Sequence, residues 1–344
     1  MSAMIPAHDP LLYDVDLPLV RTYFPLGIPL EITTNAEEIL AAAEESWGAF
    51  QKRFPLPTLR ARLGVREGRS SICPRPPRLA GQDDLVMHVA DEHNFAVSDA
   101  KSGSAFAWFT EGAVSKRPYF RYHFLEAIFW MMASPMYLAP VHAACVNFKG
   151  KGVLLCGDSG AGKSSLAYAC ARSGWSYLSD DSSNVLRSRG GRVVIGNPHQ
   201  IRFRPSAVNL FPELSPLRIA PRVTGKVSME LVTSTVPQIK KLCESPVNFI
   251  VFLRRRNGRP RLLRRKKESV IRWFETVLCF GSPAVRAAQR VAIHNLLKAD
   301  IFEMRYSDLD VAIALLESMV HAGISGPFDD AQGRDARETN VPAS

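Results

Sequence analysis

Gly157-Asp158-Ser159-Gly160-Ala161-Gly162-Lys163-Ser164 fills every fixed position of the pattern G-x-x-x-x-G-K-[ST]. Glycines there let the backbone curl until successive N–H groups converge on phosphate oxygens, an approach that side chains would block. A helix starting at Lys163 aims its N-terminal partial charge at the same anion. Lys163 adds a full positive charge for the β- and γ-phosphates, and Ser164 offers its hydroxyl to Mg²⁺. The flanks agree: Val153–Cys156 reads as an apolar strand, and the helix runs to about Ser173, where Gly174 ends it. The expected ligand is a nucleoside triphosphate with Mg²⁺, cradled by the eight residues of the loop together with Ser165.

Before the loop, Val141–Asn147 reads as a strand and Lys149-Gly150-Lys151-Gly152 as a turn. A hairpin therefore feeds the phosphate loop, where a doubly wound sheet would place a crossover helix. After it, Trp175–Ser179 reads as a strand running beside the loop strand and delivering Asp180-Asp181 near the γ-phosphate. A carboxylate there can bind Mg²⁺ or accept a hydroxyl proton. Mutual repulsion raises the pKa of one of two adjacent acids, as general-base work requires. Successive strand residues face opposite ways, so a turn must re-aim one of the pair. Ser182-Ser183-Asn184 carries turn chemistry, which leaves a capping role as the other reading of the two acids.

Across Pro140–Asn184 the chain resembles the catalytic domain of HPr kinase/phosphorylase, the bacterial serine kinase that modifies the phosphocarrier HPr. The shared residues are Val141-His142-Ala143, the loop through Ser165, and Ser173-Gly174-Trp175-Ser176-Tyr177-Leu178-Ser179-Asp180-Asp181. The resemblance implies an α/β fold: a P-loop kinase core of the HPr kinase/phosphoenolpyruvate carboxykinase type. It implies ATP as the nucleotide, His142 near the phosphoryl site, Asp180 and Asp181 in metal and base roles, and Ser164 on Mg²⁺. Where the family carries Glu-Ile-Arg-Gly, this chain has Gln200-Ile201-Arg202-Phe203. Gln200 thus offers the metal a neutral oxygen in place of a carboxylate. The family's phosphorylase and HPr-contacting segment has no counterpart here, which directs the acceptor expectation away from HPr. Arg202, Arg204 and Lys226 are candidate phosphate clamps.

At 344 residues, with 46% hydrophobic and 22% charged residues, the chain can bury a core without disulfides or structural metal. Six scattered cysteines form no C-x-x-C pair, which fits reduced thiols and a cytoplasmic location. Met1–Asp16 lacks a signal-peptide pattern, and Phe124–Pro140, broken by Glu126 and Pro135, is too short to span a bilayer. The net charge of +10 is concentrated in Arg254, Arg255, Arg256, Arg259, Arg261, Arg264, Arg265, Lys266 and Lys267. These read as a basic hairpin, Val247–Leu253 turning at Asn257-Gly258 into Pro260–Arg265. No aromatic residue is interleaved with them, which argues against nucleic acid and makes any docking partner acidic.

The expected organisation is an N-terminal α+β domain over 1–134, the kinase domain over 135–322 and a disordered tail over 323–344. In the first, Asn35 is expected to cap a helix through about Phe50. The runs Leu59–Val65, Leu85–Ala90, Phe95–Ser98 and Ala105–Thr110 form an antiparallel meander, and a helix over Phe120–Ala133 ends before Pro135. Helices over Lys267–Leu278, Pro283–Leu297 and Leu309–Met319, with a strand at Ile301–Tyr306, complete the second. The leading functional expectation is an ATP-dependent kinase acting on a serine hydroxyl of a protein or peptide, with a homo-oligomer and no membrane among its partners. A small-metabolite kinase and a nucleotide-sensing module without transfer activity are the alternatives.

Overall fold

The computed structural model describes residues 15–66, 68, 70–223, 225–276, 278, 281–322 and 329–330. It is a mixed α/β protein with several sheets and two compact units. One comprises Met1–Ala139, Pro221–Lys226 and Cys279–Gln289; the other comprises Pro140–Ala220, Val227–Leu278 and Arg290–Ser344. The expectation for Met1–Asp16 lies almost wholly outside the described residues. So does the tail, except that Asp329–Asp330 pair with Leu263–Arg264 as a short parallel strand.

The first unit holds β1 (Leu19–Tyr23), β2 (Leu30–Thr34), α1 (Glu37–Trp47), β3 (Leu59–Arg66), β4 (Arg78–Gln82), β5 (Leu85–Val89), β6 (Phe95–Asp99), β7 (Ser104–Thr110) and α2 (Glu126–Tyr137). The sheet order is β1-β2-β3-β7-β6-β5-β4. The meander is real from β4 to β7, but β3 joins β7 in parallel, which corrects the all-antiparallel expectation. β2, α1 and β3 form a βαβ unit, whose crossover returns β3 parallel to β2; from β3 the chain runs to the far edge at β4, and the meander back ends with β7 parallel to β3. α1 buries Ile39, Leu40, Ala43 and Trp47, which its helical spacing sets on one face. Asn35 does not cap it. The Asn35 amide donates to Val65 O (2.9 Å) and accepts from Val65 N–H (2.8 Å), fastening the end of β3 instead. Pro135 sits inside α2, in its last turn, so the helix does not stop ahead of it.

His88, on β5, is 1% exposed, and neither ring nitrogen has a hydrogen-bond partner among the described residues. Burial, helped by the nearby His123, pushes its pKa down to about 4 from the ordinary 6.5. Between those values the unfolded chain binds a proton that the folded chain refuses, so stability falls as pH falls. The expected loss is about 1.4 kcal/mol per pH unit, on the order of 3 kcal/mol in all. Denaturant titrations across this window should show the loss in the wild type and a flatter profile in His88→Leu. An equally steep profile in the variant contradicts the assignment.

The second unit holds β8 (Ala144–Phe148), β9 (Lys151–Cys156), α3 (Lys163–Arg172), β10 (Ser176–Ser179), β11 (Gln200–Phe203), β12 (Val227–Val232), β13 (Glu244–Arg255), β14 (Arg261–Arg264), α4 (Ile271–Glu275), β15 (Asp300–Tyr306) and α5 (Leu309–Ala322). β8 and β9 form the expected hairpin through Lys149 (φ 51°) and Gly150 (φ 80°). Pairing runs β10-β8-β9-β13-β15-β14, with β9, β10, β13 and β15 all pointing the same way. Three expectations change. The strand ending in Asp180-Asp181 does not lie beside the loop strand, because β8 of the hairpin occupies that place. The basic stretch is not a hairpin either: β15 inserts between β13 and β14 and pairs with both. The helix expected over Lys267–Leu278 is a 3-10 turn at Lys267–Ser269 followed by α4.

α3 and α5 cover one sheet face, burying Leu166, Cys170, Leu316 and Met319 against Val153, Leu155, Val251 and Met304. Strand alternation sends Phe252 to the other face, where its ring meets Trp273 at 5.3 Å. Cys73, Cys145, Cys156, Cys170 and Cys243 are free thiols. Among the described residues no helix is long and apolar enough to cross a membrane.

Candidate functional site

The glycine-rich loop leaves β9 at Cys156 and enters α3 at Lys163. Gly157, Gly160 and Gly162 have φ of 141°, 92° and 96°, values that residues with a Cβ rarely adopt. Space forbids a side chain as well: a Cβ on Gly162 would stand 2.5 Å from Tyr306 Oη. Tyr306 ends β15 and donates its hydroxyl to Ala161 O (3.0 Å), so the next-but-one strand pins the loop. Burial pushes this phenol up to about 12, which keeps it a donor. The sequence did not single out Tyr306; a tyrosine at a strand end carries no local signal of a partner so distant in the chain.

Lys163 is 6% exposed and its ammonium turns back into the loop, donating to Gly157 O at 2.8 Å and Asp158 O at 3.4 Å. It also lies 3.2 Å from His142 Nε2. An ammonium has no lone pair, so Nε2 accepts and the proton of a neutral ring belongs on Nδ1. Nδ1 faces Asp181 Oδ1 at 3.4 Å. The strand pattern explains how His142 arrives: β8 runs antiparallel to β9, so its start lies at the edge where β9 ends. Ala143 N–H bonds Val141 O (2.9 Å) in a tight turn around His142, and Ser183 Oγ holds Ala143 O (3.0 Å). Burial depresses the pKa of Lys163, and the Asp181 carboxylate opposes that shift.

The adjacent acids have different surroundings. Asp181 is exposed beside His142, whereas Asp180 Oδ2 accepts the Arg202 backbone N–H at 2.7 Å. Burial pushes Asp180 up to about 6 against the pull of that hydrogen bond, with the Asp181 charge adding to the rise. Gln200 points elsewhere. With its amide oriented to satisfy both ends, the oxygen accepts from Arg202 Nη2 (3.0 Å) and the nitrogen donates to Glu230 Oε1 (3.1 Å). Arg202 Nε also meets Glu230 Oε2 at 3.0 Å, so Arg202 is engaged with β12. Glu230 went unnoticed in the sequence because only strand pairing brings it opposite Arg202.

Arg204, just past β11, reaches the loop: Nη2 donates to Ser159 Oγ at 2.8 Å, and Nη1 lies beside Gly160. Lys226 belongs to the first unit, in a turn closed by Arg222 N–H to Lys226 O (2.8 Å). Ser164 and Ser165 sit half-buried in the first turn of α3.

No family model and no curated protein matches this sequence. Among solved structures the chain is similar to the Hpr(Ser) kinase/phosphatase from Coxiella burnetii. Identity is 10%, the match covers 53% of this chain and 96% of that one, and the TM-score is 0.30. A likeness so distant leaves the chemistry of the site to be argued from its own residues.

Proposed function

We propose that this chain is an ATP- and Mg²⁺-dependent kinase that transfers the γ-phosphoryl group to a hydroxyl, a serine, of a protein or peptide. One observation supports it above the others: a single sheet edge gathers a glycine loop, a cation folded into it, and two carboxylates in unlike surroundings. Contacts through Lys163 and His142 join the loop to Asp181. The donors left for a metal are hard oxygens, from Ser164 and Asp181, and they fit Mg²⁺, while the carboxylate oxygen of Asp180 not held by Arg202 is left for a proton. Such an ion supplies charge neutralisation on the phosphates. The loop N–H groups and Lys163 seat and orient the triphosphate. Asp180, desolvated and raised in pKa, takes the acceptor proton as the hydroxyl oxygen bonds the γ-phosphorus and the bond to the ADP oxygen breaks. Asp181 serves the metal, held in place by His142.

Arg204 has a part in this scheme: it exchanges Ser159 for the terminal phosphate and stabilises charge during transfer. Arg204→Ala should lower kcat by about 10²-fold with ADP affinity unchanged. Equal losses for ATP and ADP binding with kcat intact would assign Arg204 to uniform binding only. Gln200, tied to Glu230 and Arg202, favours the second reading, a nucleotide-sensing module with fewer acids for the metal.

Product chemistry separates the readings. Phosphate on serine survives acid and is released by alkali, whereas phosphate on histidine or a carboxylate is lost in acid. Incubating the protein with extract and Mg-ATP should give acid-stable, alkali-labile phosphate in the protein fraction. Phosphate confined to small solutes would refute a protein acceptor, and bound ATP with no ADP formed would favour sensing.

A further inference from the structure

The basic stretch is unused by the phosphoryl site, yet the fold sets it against the loop. β13 and β15 end in parallel at Arg255 and Tyr306, and Tyr306 is the residue bonded to Ala161 of the loop. Gly157 and Asp158 share a pocket with Arg254, Arg265 and Trp273. Here Arg265, Arg305 and Arg254 converge on one carboxylate, Glu303, at 2.9, 2.9 and 3.9 Å. Three guanidiniums against one carboxylate leave two positive charges in excess. Arg255, Arg256, Arg259, Arg261 and Lys266, all exposed, extend the same sign outward from the cluster.

Backbone geometry adds a second requirement. β14 pairs with β15 along one edge, and its other edge accepts a parallel strand, a place taken by Asp329–Asp330. An extended acidic segment therefore meets both matching main-chain partners and matching charge. Resting on the kinase reading above, we propose that this tip docks the acceptor: an acidic peptide segment, paired along β14 in place of Asp329–Asp330, that brings its serine to the loop. Two alternatives are weaker. Single-stranded nucleic acid calls for aromatic platforms among the cations, and the stretch from Arg254 to Lys267 has none. ATP is already served by Lys163 and Arg204 inside the loop.

The test uses the full chain with a non-hydrolysable ATP analogue and Mg²⁺. Two fluorescent serine peptides of equal length are compared by anisotropy, one flanked by Glu and Asp, the other by Lys and Arg. The acidic peptide should bind at least about tenfold more tightly at low salt, with the gap closing as salt rises. Arg256→Glu/Arg259→Glu/Arg261→Glu should abolish the preference while affinity for the ATP analogue stays unchanged. Equal binding of the two peptides, or a preference retained in the variant, overturns the proposal. So does loss of ATP-analogue affinity in the variant, or an oligonucleotide that binds the wild type more tightly than the acidic peptide does. Docking without phosphate transfer would leave this proposal standing and remove the kinase reading.

Discussion

Lys163→Met is expected to lower kcat/KM for phosphoryl transfer by about 10³-fold, roughly 4 kcal/mol of transition-state stabilisation. Methionine keeps most of the buried volume of this 6%-exposed side chain and removes its charge. The loss falls on three contacts at once: the bonds to Gly157 O and Asp158 O that shape the loop, and the one to His142 that links it to Asp181. The charge itself matters more, because among the described residues Lys163 is the cation buried in the loop, where negative charge gathers on the transferring group. Steady-state rates, with near-ultraviolet circular dichroism to show the fold intact, measure it. Activity within tenfold of wild type in a folded variant would remove Lys163 from the mechanism.

Asp180→Asn is expected to cost a comparable factor, about 10²–10⁴, and to change the pH profile. A base works in its carboxylate form, and burial holds this carboxyl up to about 6. Below that value Asp180 is protonated, so wild-type kcat/KM should rise with pH and level off above about 6. The amide cannot titrate, so the acid limb near 6 should disappear in the variant. Asp181→Asn, whose side chain is exposed beside His142, should keep the limb and raise the Mg²⁺ concentration needed for activity. An acid limb that persists in Asp180→Asn would give the base role to another group.

Local signals were legible where the structure is local. The loop, its helix, the feeding hairpin and the adjacent acids stand within one short stretch, and each was read from spacing alone. What the sequence hid is pairing between distant segments. A turn signal at Asn257-Gly258 suggested that its flanking strands meet, and nothing in those residues announces that β15 comes between them. Gln200 looked like a weakened metal ligand until strand pairing set Glu230 opposite Arg202 and gave its amide other partners. Asn35 looked like a cap because Asn favours caps, but the carbonyl and amide of Val65 bind it on both sides. Arg204 was recognisable as a cation near the right segment, while its contact with Ser159 depends on how the end of β11 lies over the loop.

The most direct test of the central claim is transfer of label from γ-labelled ATP with Mg²⁺ in extract of the native host. Wild type is compared with Asp180→Asn/Asp181→Asn, and ATP binding is measured on both. Label on a macromolecule with the wild type and none with the variant is the predicted result, and it would deliver the acceptor for identification. ATP bound by both proteins, with no label passing to any macromolecule or solute, would contradict the claim and leave a nucleotide sensor in its place.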